Sequence, residues 1–199
     1  MTFENRLKPY KIILGSKSPR RKYLLEELGI KFEIRTVDCE ELFPANLKPS
    51  DVAQYLAKLK AEAQRSNLQK NEILITADTV VDVDEMIMNK PADRNEAYDM
   101  LKKLSGRNHY VHTGICISSW EKQADFCETT KVTFHDLTDE EIYQYIDRCQ
   151  PFDKAGSYGI QEWMGYAGMK KVDGDFFSVM GLPLQLLYRQ LNRFIDGAE

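Results

Sequence analysis

Residues 73–83 read Ile-Leu-Ile-Thr-Ala-Asp-Thr-Val-Val-Asp-Val, a strongly apolar stretch that an acidic residue interrupts at Asp78. Its length and composition predict a strand that is covered on both faces. Burying an unpaired carboxylate is costly, so Asp78 must be protonated, paired or bound to a metal. Asp78 is therefore either a structural residue that accepts backbone hydrogen bonds at a strand end, or an acid held at the tip of a core strand beside a ligand crevice.

Strands and helices alternate on both sides of this segment. Lys11–Leu14 predicts a short strand that ends at Gly15, and Ser18 caps the helix that follows until Gly29 ends it. Because hairpins occur beside strand–helix units, we expect an α/β fold with a mixed twisted sheet flanked by helices. The other predicted elements are a half-buried strand at 32–37, a helix capped by Ser50, a return strand at 86–88, a helix begun by Asp93 and Glu96, a hairpin of 109–118 with 124–134, a helix capped by Thr138 and Glu141, two short strands around Asp173-Gly174 and a helix after Pro183.

Length and composition limit the classes of protein to consider. A chain of 199 residues with 43% hydrophobic and 29% charged residues is typical of one globular domain, here 1–199, with room for two lobes. The net charge of −4 argues against a general nucleic-acid coat, so we expect no nucleic-acid partner.

The sequence also indicates a compartment. No apolar run approaches the ~18 residues of a membrane helix, and the first residues lack the features of a secretory signal. The four cysteines are scattered without a C-x-x-C pair, which is typical of reduced, mostly buried thiols. We therefore expect a cytoplasmic protein without a membrane partner.

The predicted helix after Gly15 carries its charges in the unfavourable direction. Arg20 and Arg21 lie in its first turn, where the helix dipole is positive, and each misplaced charge costs about 0.3–1 kcal/mol. An anion bound there would reverse the balance, because free N–H groups, the Ser16 and Ser18 hydroxyls and two guanidiniums would converge on it. The alternative is a solvated basic patch. The stretch lacks the glycine pattern of a P-loop, and no G-x-G-x-x-G occurs.

Further candidate site residues gain support only from Asp78 and from the basic start of the helix after Gly15. Glu40 and Glu41 follow a predicted strand, and with Asp78 they would suit Mg²⁺ or Mn²⁺, although an acidic pair on a loop is more often solvated. Lys60 borders the buried face of its helix and Lys90 follows a strand directly, yet each could be an ordinary surface lysine. His109 and His112 are spaced by three on a predicted strand, so their rings face opposite ways and do not form a metal pair.

In order along the chain, these motifs resemble the Maf family. The motifs are Leu14-Gly15-Ser16-Lys17-Ser18-Pro19-Arg20-Arg21, Asp38-Cys39-Glu40-Glu41, Leu56-Ala57-Lys58-Leu59-Lys60-Ala61, Ala77-Asp78-Thr79-Val80-Val81, Lys90-Pro91, Lys154-Ala155-Gly156-Ser157-Tyr158-Gly159-Ile160-Gln161 and Val179-Met180-Gly181-Leu182-Pro183. The resemblance covers roughly residues 11 to 195. It implies an inosine-triphosphatase-like fold with a central cleft and a nucleoside triphosphate pyrophosphatase activity.

The resemblance also implies a substrate branch. Arg20, Thr79 and Gln161 are similar to the branch that acts on dTTP and UTP rather than on 7-methyl-GTP. The amide of Gln161 offers one donor and one acceptor, which can complement the imide edge shared by uracil and thymine. Glu162 departs from the family pattern, which commonly has glycine at this position. This altered edge leaves canonical and modified pyrimidine nucleotides open as substrates.

The reaction that the resemblance implies is hydrolysis between the α- and β-phosphates. In it Asp78 accepts the proton of the attacking water and binds a divalent cation, Mg²⁺ or Mn²⁺, together with Glu41. The polyphosphate is bound by Ser16, Arg20, Arg21, Lys60 and Lys90. The family often forms dimers, which makes a homodimer an option. Two alternatives remain: a nucleotidyltransferase acting on sugar phosphates, and a regulatory module that binds nucleotide without turnover.

Overall fold

The computed structural model describes residues 2–197, and a seven-stranded mixed sheet runs through them. The strand order is β2-β1-β3-β5-β6-β7, and β4 also pairs with β3. The pairs β1–β2 and β1–β3 are parallel and the others are antiparallel, which confirms the mixed sheet. The strands are β1 (Lys11–Leu14), β2 (Phe32–Ile34), β3 (Glu72–Val83), β4 (Met86–Met88), β5 (Asn108–Ser118), β6 (Gln123–Phe134) and β7 (Met169–Asp173).

Helices cover both faces of this sheet. The helices are α1 (Phe3–Leu7), α2 (Pro19–Glu27), α3 (Pro49–Arg65), α4 (Arg94–Leu104), α5 (Asp139–Cys149), α6 (Phe176–Met180) and α7 (Leu184–Asp196). Short helical turns occupy Pro151–Asp153, Ala155–Ser157 and Met164–Gly168. Within residues 2–197, the structure contains no helix long and apolar enough to cross a bilayer.

The apolar core divides along the long strand β3. On one face, α2 and α7 pack on the first half of β3 in a cluster that includes Leu24, Ile75 and Leu187. On the same face α4 and α5 cover the second half, around Val81 and Leu101. Helix α3 covers the opposite face. The two clusters on the shared face therefore lie at the two ends of one strand.

A gap in strand pairing lies between these two ends. β1 ends with Leu14 beside Ile75, and β4 ends with Met88 beside Val81, while β5 pairs with the other edge of β3 from Leu74 to Asp82. Among the residues that the structure describes, positions 76–80 have no strand on the β1 side. Both β1 and β4 run toward this gap, so the residues after each strand enter it from opposite sides.

Most of the predicted elements are present, and several caps are as expected. Ser18 caps α2 by accepting from the N–H of Arg21, and Thr138 and Glu141 form a reciprocal capping box on α5. The predicted hairpin is confirmed as β5 and β6. Asp93 caps α4, but Glu96 bonds to the N–H of Ala92 rather than completing a capping box.

Four predictions were wrong. Ser50 does not cap α3, because Pro49 already occupies the first turn and Lys48 is the N-cap. The strand predicted to reach Val37 ends at Ile34. The second strand after Gly174 is replaced by α6, because Asp175 caps a helix there. Of the four free cysteines, only Cys116 is fully buried.

Candidate active site

The gap beside β3 opens into a cleft of about 480 Å³. The cleft is bounded by the turn after β1, by the segment after β4 and by the loops around Ala155 and Gly181. The structure brings every predicted site residue to this cleft: Ser16, Arg20, Arg21, Glu41, Lys60, Asp78, Thr79, Lys90 and Gln161. Residues from six separate segments of the chain therefore meet at one place.

Asp78 lies in the middle of β3 and not at a strand tip. Its neighbour on β5 is Gly114, but β1 has already ended beside Ile75, so the carboxylate is uncovered on that side. Side chains alternate along a strand, and Asp78 therefore points to the α3 face while Thr79 points to the α2 face. The predicted position at a strand end was wrong, yet the end of the neighbouring strand produces the same opening.

Lys60 joins two carboxylates across the cleft. Its Nζ lies 2.5 Å from Oδ1 of Asp78 and 3.0 Å from Oε1 of Glu41. The Lys60 and Asp78 side chains are 17% and 13% exposed, whereas Glu41 is half exposed on its loop. The alternative of a solvated surface lysine is wrong for Lys60, because this ammonium is largely withdrawn from water and paired.

Arg21 is directed inward and bonded to protein groups on three sides. Its guanidinium donates to the carbonyl of Gly181 at 2.8 Å, to Oγ of Ser16 at 3.4 Å and to Oγ1 of Thr79 at 3.2 Å. Burial lowers the pKa of Arg21 from its usual value, and the nearby Asp78 carboxylate opposes that shift. With five N–H groups on a guanidinium, two remain for a ligand in the cleft.

Arg20 has a partner that the sequence did not indicate. Its Nη1 lies 2.7 Å from Oδ2 of Asp153, which also contacts the neighbouring Lys154 through Oδ1 at 2.7 Å. Lys22 lies on the surface, with its Nζ 3.9 Å from Oε1 of Glu26. For this residue the alternative of a solvated basic patch therefore holds. The two arginines, in contrast, both line the cleft. Lys90 is exposed at the opposite rim.

Gln161 presents an amide group without a protein partner for its oxygen. Its Oε1 is buried and has no hydrogen bond among the described residues. The residue lies in a tight turn, because the N–H of Glu162 donates to the carbonyl of Gly159 at 3.1 Å. The hydroxyl of Tyr166 donates to the backbone carbonyl of Gln161. The turn is thus held, and the buried Oε1 of Gln161 is left as an acceptor without a protein donor.

The two histidines of β5 face opposite sides of the sheet, as predicted, and each has a hydrogen-bond partner in the protein. Nε2 of His109 contacts the hydroxyl of Tyr158 at 2.7 Å, and burial lowers the pKa of His109 to about 3. His112 lies on the other face between Asp82 and Thr129, at 2.7 and 2.9 Å. Neither side chain lines the cleft.

A divalent cation fits the carboxylate pair. Across residues 2–197, no three or more His, Cys, Asp or Glu side chains are grouped so that they could hold a metal ion. Glu41 and Asp78 nevertheless already enclose one cation, the Lys60 ammonium. Magnesium is commonly held by one or two carboxylates with water and substrate phosphates, and this donor set suits it. Glu40 belongs to the same loop but does not line the cleft.

Fold and site together define an α/β protein whose cleft suits a phosphorylated ligand. The sequence profile described as Maf-like protein matches residues 11–194, so the chain belongs to the Maf family.

Relatives agree with this assignment, and a solved structure has a similar fold. The chain is 56% identical over 192 residues to a protein of Porphyromonas gingivalis named dTTP/UTP pyrophosphatase, covering 94% of this chain and 96% of the relative. A Bacteroides thetaiotaomicron protein of the same name is 46% identical over 188 residues, covering 94% and 97%. The Ham1 protein of Staphylococcus aureus has a similar fold, with a TM-score of 0.51 at 17% identity and coverage of 92% and 98%.

Proposed function

We propose that this protein is a hydrolase that cleaves dTTP and UTP between the α- and β-phosphates, giving a nucleoside monophosphate and pyrophosphate. The observation that carries the proposal is the position of the Asp78 carboxylate, which shares one cleft with the cationic start of α2. Relatives that are 46–56% identical over nearly the whole chain carry the name dTTP/UTP pyrophosphatase. The substrate assignment rests on those names and on the amide of Gln161.

Asp78 is the proposed proton acceptor. Its Oδ1 is bonded to Lys60, which leaves Oδ2 to orient a water and remove its proton as the oxygen attacks the α-phosphorus. The water oxygen forms the new P–O bond, the bond from the α-phosphorus to the bridging oxygen breaks, and pyrophosphate leaves with the bonding electrons. Asp78 is largely buried but lines the cleft, so a water in the cleft can reach its carboxylate.

Cationic and hydroxyl groups are proposed to bind the polyphosphate. Arg20 and Arg21 line the α2 side of the cleft, while Lys60 and Lys90 line the α3 side and the far rim. Ser16 contributes its hydroxyl at the turn. Such preorganised donors stabilise the negative charge that collects on the departing pyrophosphate.

Glu41 and Asp78 are proposed to hold a divalent cation, Mg²⁺ or Mn²⁺. A bound cation would neutralise charge on the phosphate oxygens and polarise the α-phosphorus. The cation would take the place of the Lys60 ammonium at Oδ1 of Asp78 and Oε1 of Glu41, and Lys60 would then turn toward the phosphates. Oδ2 of Asp78 would stay available to accept the proton of the water.

Gln161 and Thr79 are proposed to favour uracil and thymine. The unpartnered Oε1 of Gln161 can accept from the imide N–H, and its Nε2 can donate to a ring carbonyl. Thr79 is held by Arg21 and Thr113, which fixes the wall beneath the ligand.

Product analysis in ¹⁸O-labelled water tests the reaction. We expect UTP and dTTP with Mg²⁺ to give the monophosphate and pyrophosphate, with the label in the monophosphate. Orthophosphate as the first product, or label in pyrophosphate, would show attack at another phosphorus. Pyrophosphate release that requires a sugar phosphate would indicate a nucleotidyltransferase, and stoichiometric binding without turnover a regulatory module.

We also propose that residues 1–199 form a single domain, placed in the cytoplasm and capable of forming a homodimer. The continuous sheet and the free thiols of the described residues support the first two points. Light scattering over a concentration series tests the assembly.

A further inference from the structure

We propose that Glu162 is a positioning residue that fixes the Gln161 turn and thereby sets the preference for uracil over cytosine. The inference rests on the proposed function, because it concerns which base the cleft accepts. Glu162 lies directly after Gln161, and its carboxylate is one-fifth exposed beneath the turn.

Two buried side chains hold the carboxylate of Glu162. The Nζ of Lys154 lies 3.0 Å from its Oε1, and the hydroxyl of Tyr145 donates to its Oε2 at 2.5 Å. The Lys154 side chain is 9% exposed and Tyr145 is 1% exposed. Both carboxylate oxygens are thus fixed by partners that have little freedom to move.

The same tyrosine also holds the start of the turn. Its hydroxyl oxygen accepts from the N–H of Gly159 at 3.0 Å, while the N–H of Glu162 donates to the carbonyl of Gly159 at 3.1 Å. Tyr145 therefore connects the first and last residues of the turn, 159 and 162. Gln161 lies between them, so its amide direction depends on both ends being held.

A row of side chains with alternating charge joins Glu162 to the phosphate side of the cleft. Arg20 contacts Asp153, Asp153 contacts Lys154, and Lys154 contacts Glu162, at 2.7, 2.7 and 3.0 Å. Lys154 is a nearly buried cation, and a buried charge that loses a partner is strongly unfavourable. Without Glu162, Lys154 would depend on Asp153 alone and would compete with Arg20 for that carboxylate.

Removal of Glu162 should disturb base selection more than phosphate binding, because Arg20 alone of the proposed phosphate-binding groups is joined to this row of charges. In Glu162→Ala, the Tyr145 hydroxyl loses its acceptor and the turn can rotate, so Gln161 no longer meets the imide edge in one orientation. Cytosine presents an amino group and a ring acceptor at the same positions, so a loosened amide can turn to satisfy either base. The expected result is a lower preference for UTP over CTP, which should appear mainly as a change in KM and less in kcat.

The experiment compares wild type, Glu162→Ala, Glu162→Gln and the control Glu121→Ala, an exposed glutamate in the β5–β6 turn. Measured quantities are kcat and KM for UTP and CTP, binding of α,β-imido-UTP and α,β-imido-CTP by titration, and inhibition by inorganic tripolyphosphate. We expect Glu162→Ala to lower the UTP-to-CTP preference at least about tenfold, with tripolyphosphate inhibition within about twofold of wild type. Glu162→Gln, which keeps one acceptor, should recover part of the preference.

An unchanged preference in both Glu162 variants would overturn the inference, as would an equal loss for tripolyphosphate. If Glu162→Ala fails to fold, Glu162→Gln decides, since an amide fits the same space. Wild-type protein that does not hydrolyse UTP would contradict the proposed function alone, because the imido analogues still report whether Glu162 controls base preference in binding.

Discussion

Asp78 is only 9% exposed, and its carboxylate still reaches the cleft because β1 ends beside Ile75, three residues earlier along β3. A neighbouring strand that continued would have covered it. The carboxylate is held by Lys60 from α3, so a rigid strand and a rigid helix fix both partners. The early end of β1 is therefore what leaves the Asp78 carboxylate open to the cleft.

Asp78→Asn should abolish turnover while leaving nucleotide binding intact. The amide cannot accept a proton from water, and loss of a general base typically costs about 10²–10⁴ in rate. The measurement is kcat for UTP with titration of α,β-imido-UTP, which should bind within about tenfold of wild type. Asp82→Asn, four residues further on β3 and outside the cleft, should keep its turnover. Normal turnover in Asp78→Asn would contradict the assignment.

The ion pair between Glu72 and Arg35 predicts how the free energy of unfolding depends on pH. Its side chain is 1% exposed and receives two bonds from Arg35, at 2.7 and 2.8 Å, which lower the pKa of Glu72 to about 2. A carboxyl whose folded pKa is depressed adds stability above its unfolded pKa, near 4.5, and loses it as pH falls toward 2.

Glu72→Gln should therefore destabilise the fold by about 2–3 kcal/mol at pH 7, and the difference from wild type should shrink at pH 3. Urea unfolding at both pH values measures it. Glu121→Gln is the exposed control. A difference that stays equal at the two pH values would show that the ion pair is not the cause.

The residues that line the cleft were largely predictable, and their partners were not. Arg20, Arg21 and Asp78 each break a local rule of charge or burial, which is visible in sequence. Asp153, which pairs with Arg20, breaks no such rule, because an acidic residue beside Lys154 after a helix is ordinary. Its role depends on a contact across 133 positions of the chain that no local pattern encodes.

At the scale of elements, strong local signals were reliable and ambiguous ones were not. The capping box of Thr138 and Glu141 predicted the start of α5 because both bonds form within one turn. The Asp173-Gly174 pair suggested a hairpin, but the adjacent Asp175 accepts from the N–H of Ser178 and starts α6 instead. Thr113 and Thr130 then bond to α6, so tertiary contacts decided between two local options.

The docking of α3 on the sheet depends on Gly114. A Cβ at this position would lie 2.2 Å from the backbone carbonyl oxygen of Ala53, and backbone cannot give way as a flexible side chain can. Gly114→Ala should cost about 1–3 kcal/mol or more. Because α3 carries Lys60, the shift should also lower kcat/KM for UTP about tenfold.

Thermal unfolding and kinetics of this variant provide the check. Gly197→Ala, at the end of α7, meets nothing within 4 Å and should cost only about 1 kcal/mol from its positive φ. Wild-type kcat/KM in Gly114→Ala would show that α3 tolerates displacement.

At the scale of the whole molecule, the cleft lies between two apolar clusters that share the strand β3. The cluster under α2 supports Arg20 and Arg21, and the cluster under α4 and α5 lies beside the 153–161 segment. A ligand with a polyphosphate at one end and a base at the other would contact both. The overall charge of −4 makes this cationic cleft the favourable place for an anion.

At equal ligand concentration, a nucleotide should therefore stabilise the folded protein more than a phosphate chain alone. A ligand at 100 times its Kd contributes about 2.7 kcal/mol, which for a chain of this size corresponds to roughly 5–10 °C in Tm. We expect this shift with α,β-imido-UTP and Mg²⁺.

Hydrogen exchange should then slow both at the start of α2 and in segment 153–161, because the nucleotide bridges the two clusters. Inorganic tripolyphosphate, adjusted to the same fractional saturation, should protect the start of α2 and leave segment 153–161 exchanging as in the free protein. Equal protection of both segments by tripolyphosphate would mean that the phosphates alone join the clusters, through Arg20 and Asp153, and that the base adds nothing to the protection of segment 153–161.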